Sequence, residues 1–114
     1  MKIAVIGSRS ATVSDIGEYL PESCTEIVSG GAVGIDSCAS EYAKKSGLSL
    51  KEFFPEYSKY GKTAPIIRNK QIVEYADAVI AFWDGRSRGT LFVIEYCKKL
   101  CKPCTVIRLS GKVN

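Results

Sequence analysis

Short apolar runs alternate along this chain with stretches whose apolar residues recur at helical spacing. The first run, Lys2–Gly7, is apolar from Ile3 to Ile6 and stops at Gly7-Ser8-Arg9-Ser10. A run without polar alternation is what a strand covered on both faces looks like. Glu26–Ser29, Leu48–Phe54, Ala78–Phe82 and Thr105–Leu109 read as four further strands, ended by Gly30-Gly31, Pro55, Trp83 and the C-terminal tail. Between them, Ile35, Cys38, Ala39, Tyr42 and Ala43 recur at i, i+3, i+4, i+7 and i+8, which predicts a helix with one apolar face, closed by Gly47. A short helix is expected near Thr12–Leu20, stopped by Pro21. Another is expected from Ala64-Pro65 to about Tyr75, with Thr63 as its cap and proline in its first turn. The last helix is expected from about Thr90 to Leu100. Glu56–Lys62 reads as a polar loop carrying Tyr57 and Tyr60.

Strands that alternate with helices predict an α/β protein with a parallel sheet. Right-handed crossovers then give a Rossmann-like three-layer sandwich, five strands in the order 3-2-1-4-5. At 114 residues, with no linker, repeat or low-complexity stretch, the chain reads as one domain. The order reverses between the first and fourth strands, and ligands of such sheets bind outside the strand carboxyl ends at that reversal. The expected site therefore joins the loop after Gly7 to the loop after Phe82, flanked by Gly30–Asp36.

Composition changes this picture little. A net charge of +4 tolerates an anionic ligand without arguing for nucleic acid, which usually needs a clustered basic stripe. No segment is long and apolar enough to span a membrane, and the N-terminus is too short in apolar residues for a signal peptide, so a cytoplasmic protein is expected. The five cysteines do not follow a secreted framework. Cys101-Lys102-Pro103-Cys104 invites a redox or zinc reading. The pair follows a helix instead of opening one, however, and the chain has no histidine. Reduced structural thiols and no metal site are expected.

The candidate chemistry lies in three strand-to-helix loops: Gly7-Ser8-Arg9, Gly30-Gly31-Ala32-Val33-Gly34 and Gly85-Arg86-Ser87-Arg88-Gly89-Thr90. Glycine lets backbone amides approach an anion, and the helix that follows adds unpaired N–H groups and partial positive charge. Ser8, Ser87 and Thr90 offer hydroxyls, and Arg9 or Arg88 a bidentate grip. Asp36 either complements a helix dipole or bonds a ribose or base. Asp84 either bonds a ligand hydroxyl or stabilises its own turn. Phe82 or Trp83 can stack on a base, with one of the two pointing into the core. Tyr57 and Tyr60 are candidates to close over a ligand. Arg68-Asn69, inside a predicted helix, either contacts the ligand or braces a loop.

Taken together, Gly7-Ser8-Arg9, Ser29 through Asp36, Arg68-Asn69 and Asp84 through Thr90 resemble the SLOG superfamily. That group includes the DNA-processing DprA/Smf proteins, the LOG-type nucleotide hydrolases and small nucleotide-sensor-like domains. The likeness runs from Lys2 to about Leu109. It implies a Rossmann-like fold with a nucleotide-like small molecule or a nucleic acid at these loops, and a homo-oligomer, with a dimer as first expectation. Two departures matter. LOG-type hydrolases place a catalytic glutamate three residues after a glycine-threonine pair; here that position is Val93. Glu95 lies roughly 200° further around the helix. Against DprA, the glycine-isoleucine-aspartate and arginine-asparagine elements match, but Arg9, Arg68, Arg88 and Tyr60 are too few for a stacking, basic groove. The leading expectation is a domain that binds or senses a nucleotide-derived phosphate ligand. Its ligand residues would be Gly7, Ser8, Arg9, Gly30, Gly31, Ala32, Gly34, Asp36, Arg68, Asn69, Asp84, Gly85, Ser87, Arg88, Gly89 and Thr90. The alternatives are a hydrolase of an N-glycosidic or phosphate bond and a DprA-like binder of single-stranded DNA. No catalytic residue and no cofactor is assigned from sequence.

Overall fold

A computed structural model describes residues 1–31 and 33–109. Five parallel strands, β1 (Lys2–Gly7), β2 (Glu26–Ser29), β3 (Ser49–Glu52), β4 (Ala78–Trp83) and β5 (Cys104–Arg108), form one sheet in the order β3-β2-β1-β4-β5. Helices α1 (Ile35–Ser46), α3 (Ala64–Tyr75) and α4 (Arg88–Leu100) connect them, with a single-turn helix α2 (Tyr57–Tyr60) ahead of α3.

Strand alternation divides the core in two. Ile3, Val5, Ile27, Ile80 and Phe82 point to one face, where Ile35, Ala39 and Ala43 of α1 cover them. Ala4, Ile6, Val28, Val79 and Ala81 point to the other, under Ile72 and Val73 of α3 and Val93, Ile94 and Cys97 of α4. Both faces being covered explains the unbroken apolar runs of β1 and β4. The α/β sandwich and its strand order are as the sequence predicts. Among the described residues no helix is long and apolar enough to cross a membrane.

Three local expectations fail. In place of a helix over Thr12–Leu20 there is only a 3₁₀ turn, Ile16–Tyr19. Asp15 caps it by accepting the Gly17 amide at 3.1 Å, a local bond that competes with helix continuation. The expected loop at Glu56–Lys62 contains α2 and then a second 3₁₀ turn, Gly61–Thr63. Thr63 makes no side-chain cap; its hydroxyl donates back to the Tyr60 carbonyl at 2.8 Å. Smaller shifts occur elsewhere. β3 is shorter than Leu48–Phe54, β5 begins one residue earlier than expected, and α4 begins at Arg88 because Ser87 caps it.

Candidate functional site

Where β1 and β4 end side by side, Gly7 pairs in register with Phe82 and the chain departs in opposite directions. A cleft of about 370 Å3 opens at this carboxyl edge, on the α3–α4 side of the sheet. Its floor is Ile6 and Gly7 of β1. Gly30, Gly31 and Asp36 form one wall, and the N-terminus of α4 (Ser87, Gly89 and Thr90) another. Pro55, Tyr57, Pro65 and Ile72 supply an apolar side, and Arg9, Arg68 and Asn69 the remaining polar groups.

Each wall has a local cause. Gly7 is where α1 crosses the end of β1: a Cβ there would lie 2.6 Å from both Ile35 Cγ1 and the Phe82 carbonyl oxygen. The residue is thus fixed by close packing as well as by facing the cleft. Gly31 has a φ of 71° and sits under the Phe54 ring, so a side chain there meets strain and a clash together. At α4, the Ser87 hydroxyl accepts the Thr90 amide at 3.4 Å, and Asp84 Oδ1 accepts the Arg86 and Ser87 amides, both at 2.8 Å. These bonds shape the loop that aims the first turn of α4 at the cleft.

Arg68 organises the opposite wall. Its Nη1 donates to the Gly30 carbonyl at 2.7 Å and its Nε to Asn69 Oδ1 at 2.8 Å. Both Nη1 and Asp36 Oδ2 lie about the Gly30 Cα, within 3 Å of where a Cβ would stand. Burial draws the guanidinium below its ordinary pKa; the Asp36 and Tyr57 side chains oppose this and Arg9 adds to it. An arginine nevertheless stays protonated. Arg68 is therefore a brace between α3 and the β2–α1 loop that also faces the cleft. Arg9 is exposed at the rim. With Asp36 7% exposed beside Arg68, the cleft carries two cations against one carboxylate.

Of the residues singled out from sequence, the cleft brings together Gly7, Arg9, Gly30, Gly31, Asp36, Arg68, Asn69, Ser87, Gly89 and Thr90. Others are placed elsewhere. Ser8 is buried outside the cleft lining; among the described residues its Oγ has no hydrogen bond of good geometry, although the hydroxyl is near enough to Asp84 to favour the ionised carboxylate. Gly34 packs against the carbonyls of Ser8 and Arg9, and Gly85 against the Arg108 guanidinium. Asp84 stabilises its own turn, and Arg88 points to solvent outside the cleft lining. Ala32 lies outside the described residues.

The aromatic candidates separate as well. Phe82 is fully buried against Tyr19, while Trp83 donates its Nε1 to the Ser87 carbonyl and stacks under Arg108; neither is in the cleft lining. Tyr57 is in the lining and Tyr60 is not. Sequence reasoning missed the apolar side, Pro55, Pro65 and Ile72. The prolines read only as element boundaries and Ile72 only as core.

Compared with protein-family models, curated proteins and solved structures, the chain matches none.

Proposed function

We propose that this protein binds a phosphate-bearing nucleotide or nucleotide-derived ligand in the cleft without turning it over. The observation that carries the reading is the meeting, in one cleft, of the α4 N-terminus, the Arg9 guanidinium and an apolar side ending in Tyr57. The first-turn amide of Gly89 and the partial positive charge of a 13-residue helix suit a phosphate. Arg9 suits its remaining charge. Pro55, Tyr57 and Pro65 suit the flat, less polar part of such a ligand. The volume falls in the range of roughly 300–1,000 Å3 typical of small-molecule sites. The resemblance of the same loops to the SLOG superfamily supports a nucleotide over a bare anion.

Binding is favoured over hydrolysis by what occupies the catalytic positions. Val93, where the LOG-type glutamate would stand, is buried in the core under α4, and Glu95 faces solvent. Among the described residues, Asp36 is the one carboxylate that lines the cleft, and it accompanies Arg68. An acid–base pair for N-glycosidic cleavage needs two such groups with separated roles.

Thermal unfolding against nucleoside mono-, di- and triphosphates, ADP-ribose, NAD, cyclic dinucleotides and short single-stranded DNA tests the reading. A ligand present at about a hundred times its Kd adds about 2.7 kcal/mol. Each kcal/mol moves the midpoint of a domain this size by roughly 4–8 °C. A rise with one nucleotide, lost in Arg9→Ala, is the expected result. A rise only with DNA, steeply weakened by salt, replaces it with the nucleic-acid reading. No rise with any member of the panel removes the proposal.

A further inference from the structure

All five cysteines are free thiols, and sequence spacing singles out Cys101 with Cys104. The connection from α4 to β5 arranges them differently. α4 turns Thr90, Val93, Ile94 and Cys97 toward the sheet, spaced i, i+3, i+4 and i+7. After Leu100 the chain reverses. Cys101 takes a left-handed conformation with φ of 57°, and the Lys102 amide returns to the Cys97 carbonyl at 2.8 Å. The Pro103 carbonyl then accepts the Val79 amide at 2.9 Å, and Cys104 enters β5 opposite Val79.

Strand alternation sets where Cys104 points. Ile107 and Leu109 pack on the α1 face of the sheet. Cys104, an odd number of residues before both of them, faces the α3–α4 side and packs on the cluster that contains Cys97. The reversal thus brings Cys104 back onto the helix residue seven positions earlier. Cys101 stays exposed on the outside of the turn. Among the described residues no three cysteine or carboxylate side chains gather to hold a metal. Cys97 is fully buried, whereas Cys104 is half-buried.

We propose that Cys104 and Cys97 form a peroxide-sensitive dithiol that closes to an intramolecular disulfide. The Cys104 thiolate attacks one oxygen of hydrogen peroxide; the O–O bond breaks, and hydroxide leaves and takes up a proton as water. The sulfenic acid at Cys104 is then attacked by the Cys97 sulfur. The S–S bond forms, the S–O bond breaks, and the oxygen leaves as water with the Cys97 proton. Two thiols are oxidised and one peroxide is reduced to two waters. The surroundings divide the roles in this order. The Cys97 thiol beside it holds Cys104 below the ordinary thiol range, with Lys98 adding to this and burial opposing it. The same pairing and its own burial push Cys97 well above that range. The less buried residue is therefore the better thiolate, and the fully buried one resolves. The pair sits toward the far end of α4 from the cleft, Cys97 being seven residues, about 10 Å along the helix, from Thr90. Its test is independent of ligand binding.

The protein is treated with a few equivalents of hydrogen peroxide, its remaining thiols are alkylated under denaturing conditions, and its peptides are mapped by mass. The expected product is a cross-link between the peptides of Cys97 and Cys104. It should persist in Cys101→Ser and be lost in Cys104→Ser, which instead leaves Cys97 alkylated. A cross-link from Cys101 to Cys104 would overturn the assignment. So would sulfinic acid at Cys104 with Cys97 left as a thiol, or full alkylation of both at a peroxide level that oxidises free cysteine. Because the Cys101→Ser change lies on an exposed turn, the decisive comparison does not depend on a core substitution.

Discussion

Two arginines face one cleft and do different work. Arg68 satisfies the Gly30 carbonyl and holds Asn69, so Arg68→Ala leaves a part-buried acceptor without its donor. Its expected cost is about 1–3 kcal/mol of stability, read in chemical denaturation, together with loss of ligand affinity. Arg9 is exposed at the rim, and Arg9→Ala should change stability by less than about 0.5 kcal/mol while weakening anion binding. Equal effects of the two substitutions on stability would contradict the division. Gly7 gives a residue-scale test of packing. A methyl group at Gly7 must displace Ile35 or the backbone of β4. Gly7→Ala should therefore lower stability by roughly 1–3 kcal/mol. The glycine pattern of the loops was legible in the sequence. Which glycines line the cleft and which only let elements touch was not, because that depends on what packs from elsewhere in the chain.

At the scale of elements, α4 matters most, since its first turn faces the cleft. Ser87 caps it through the Thr90 amide. Ser87→Ala should destabilise the protein by about 1 kcal/mol and Ser87→Gly by only a few tenths, measured as midpoint shifts. The sequence places this helix from about Thr90 to Leu100. It begins two residues earlier, at Arg88, because Ser87 supplies the cap. The segment before β2 misled for a related reason. A helix is expected near Thr12–Leu20, but Asp15 bonds the Gly17 amide, and Tyr42 covers the face of Gly17. The short helix at Tyr57–Tyr60 has no apolar periodicity to announce it. It forms between β3 and α3, where Tyr57 reaches the cleft.

The whole molecule ties its sheet together at both ends of β4. Entering the strand, Asp77 accepts the Lys2 amide at 2.7 Å; leaving it, Asp84 accepts two amides of the α4 loop. Those hydrogen bonds hold both carboxyls below the ordinary aspartate range. A carboxyl with a depressed folded-state pKa stabilises the fold above its unfolded value of about 3.9 and loses that contribution as pH falls through the folded value. Stability should therefore decline with acid below about pH 4. Asp77→Asn should flatten this decline, checked by thermal midpoints between pH 5 and pH 2. An unchanged acid slope would show that these carboxylates do not control it.

The sequence by itself determined what depends on neighbours along the chain. The apolar runs of a doubly covered sheet, the i, i+3, i+4 face of α1, and the alternation of strands and helices together pointed to a parallel α/β sandwich. Only the tertiary structure decided what depends on distant residues meeting. It turned Arg68 into a brace for Gly30, made Pro55, Pro65 and Ile72 one side of a cleft, and moved Asp84 into its own turn. It also set Cys104 against the core cluster that contains Cys97 and left Cys101 exposed. The physical reason is the same in each case. Periodicity reports which face of an element is buried, but not which partner it is buried against; that follows from how the crossovers stack α1, α3 and α4 on the two faces of one sheet.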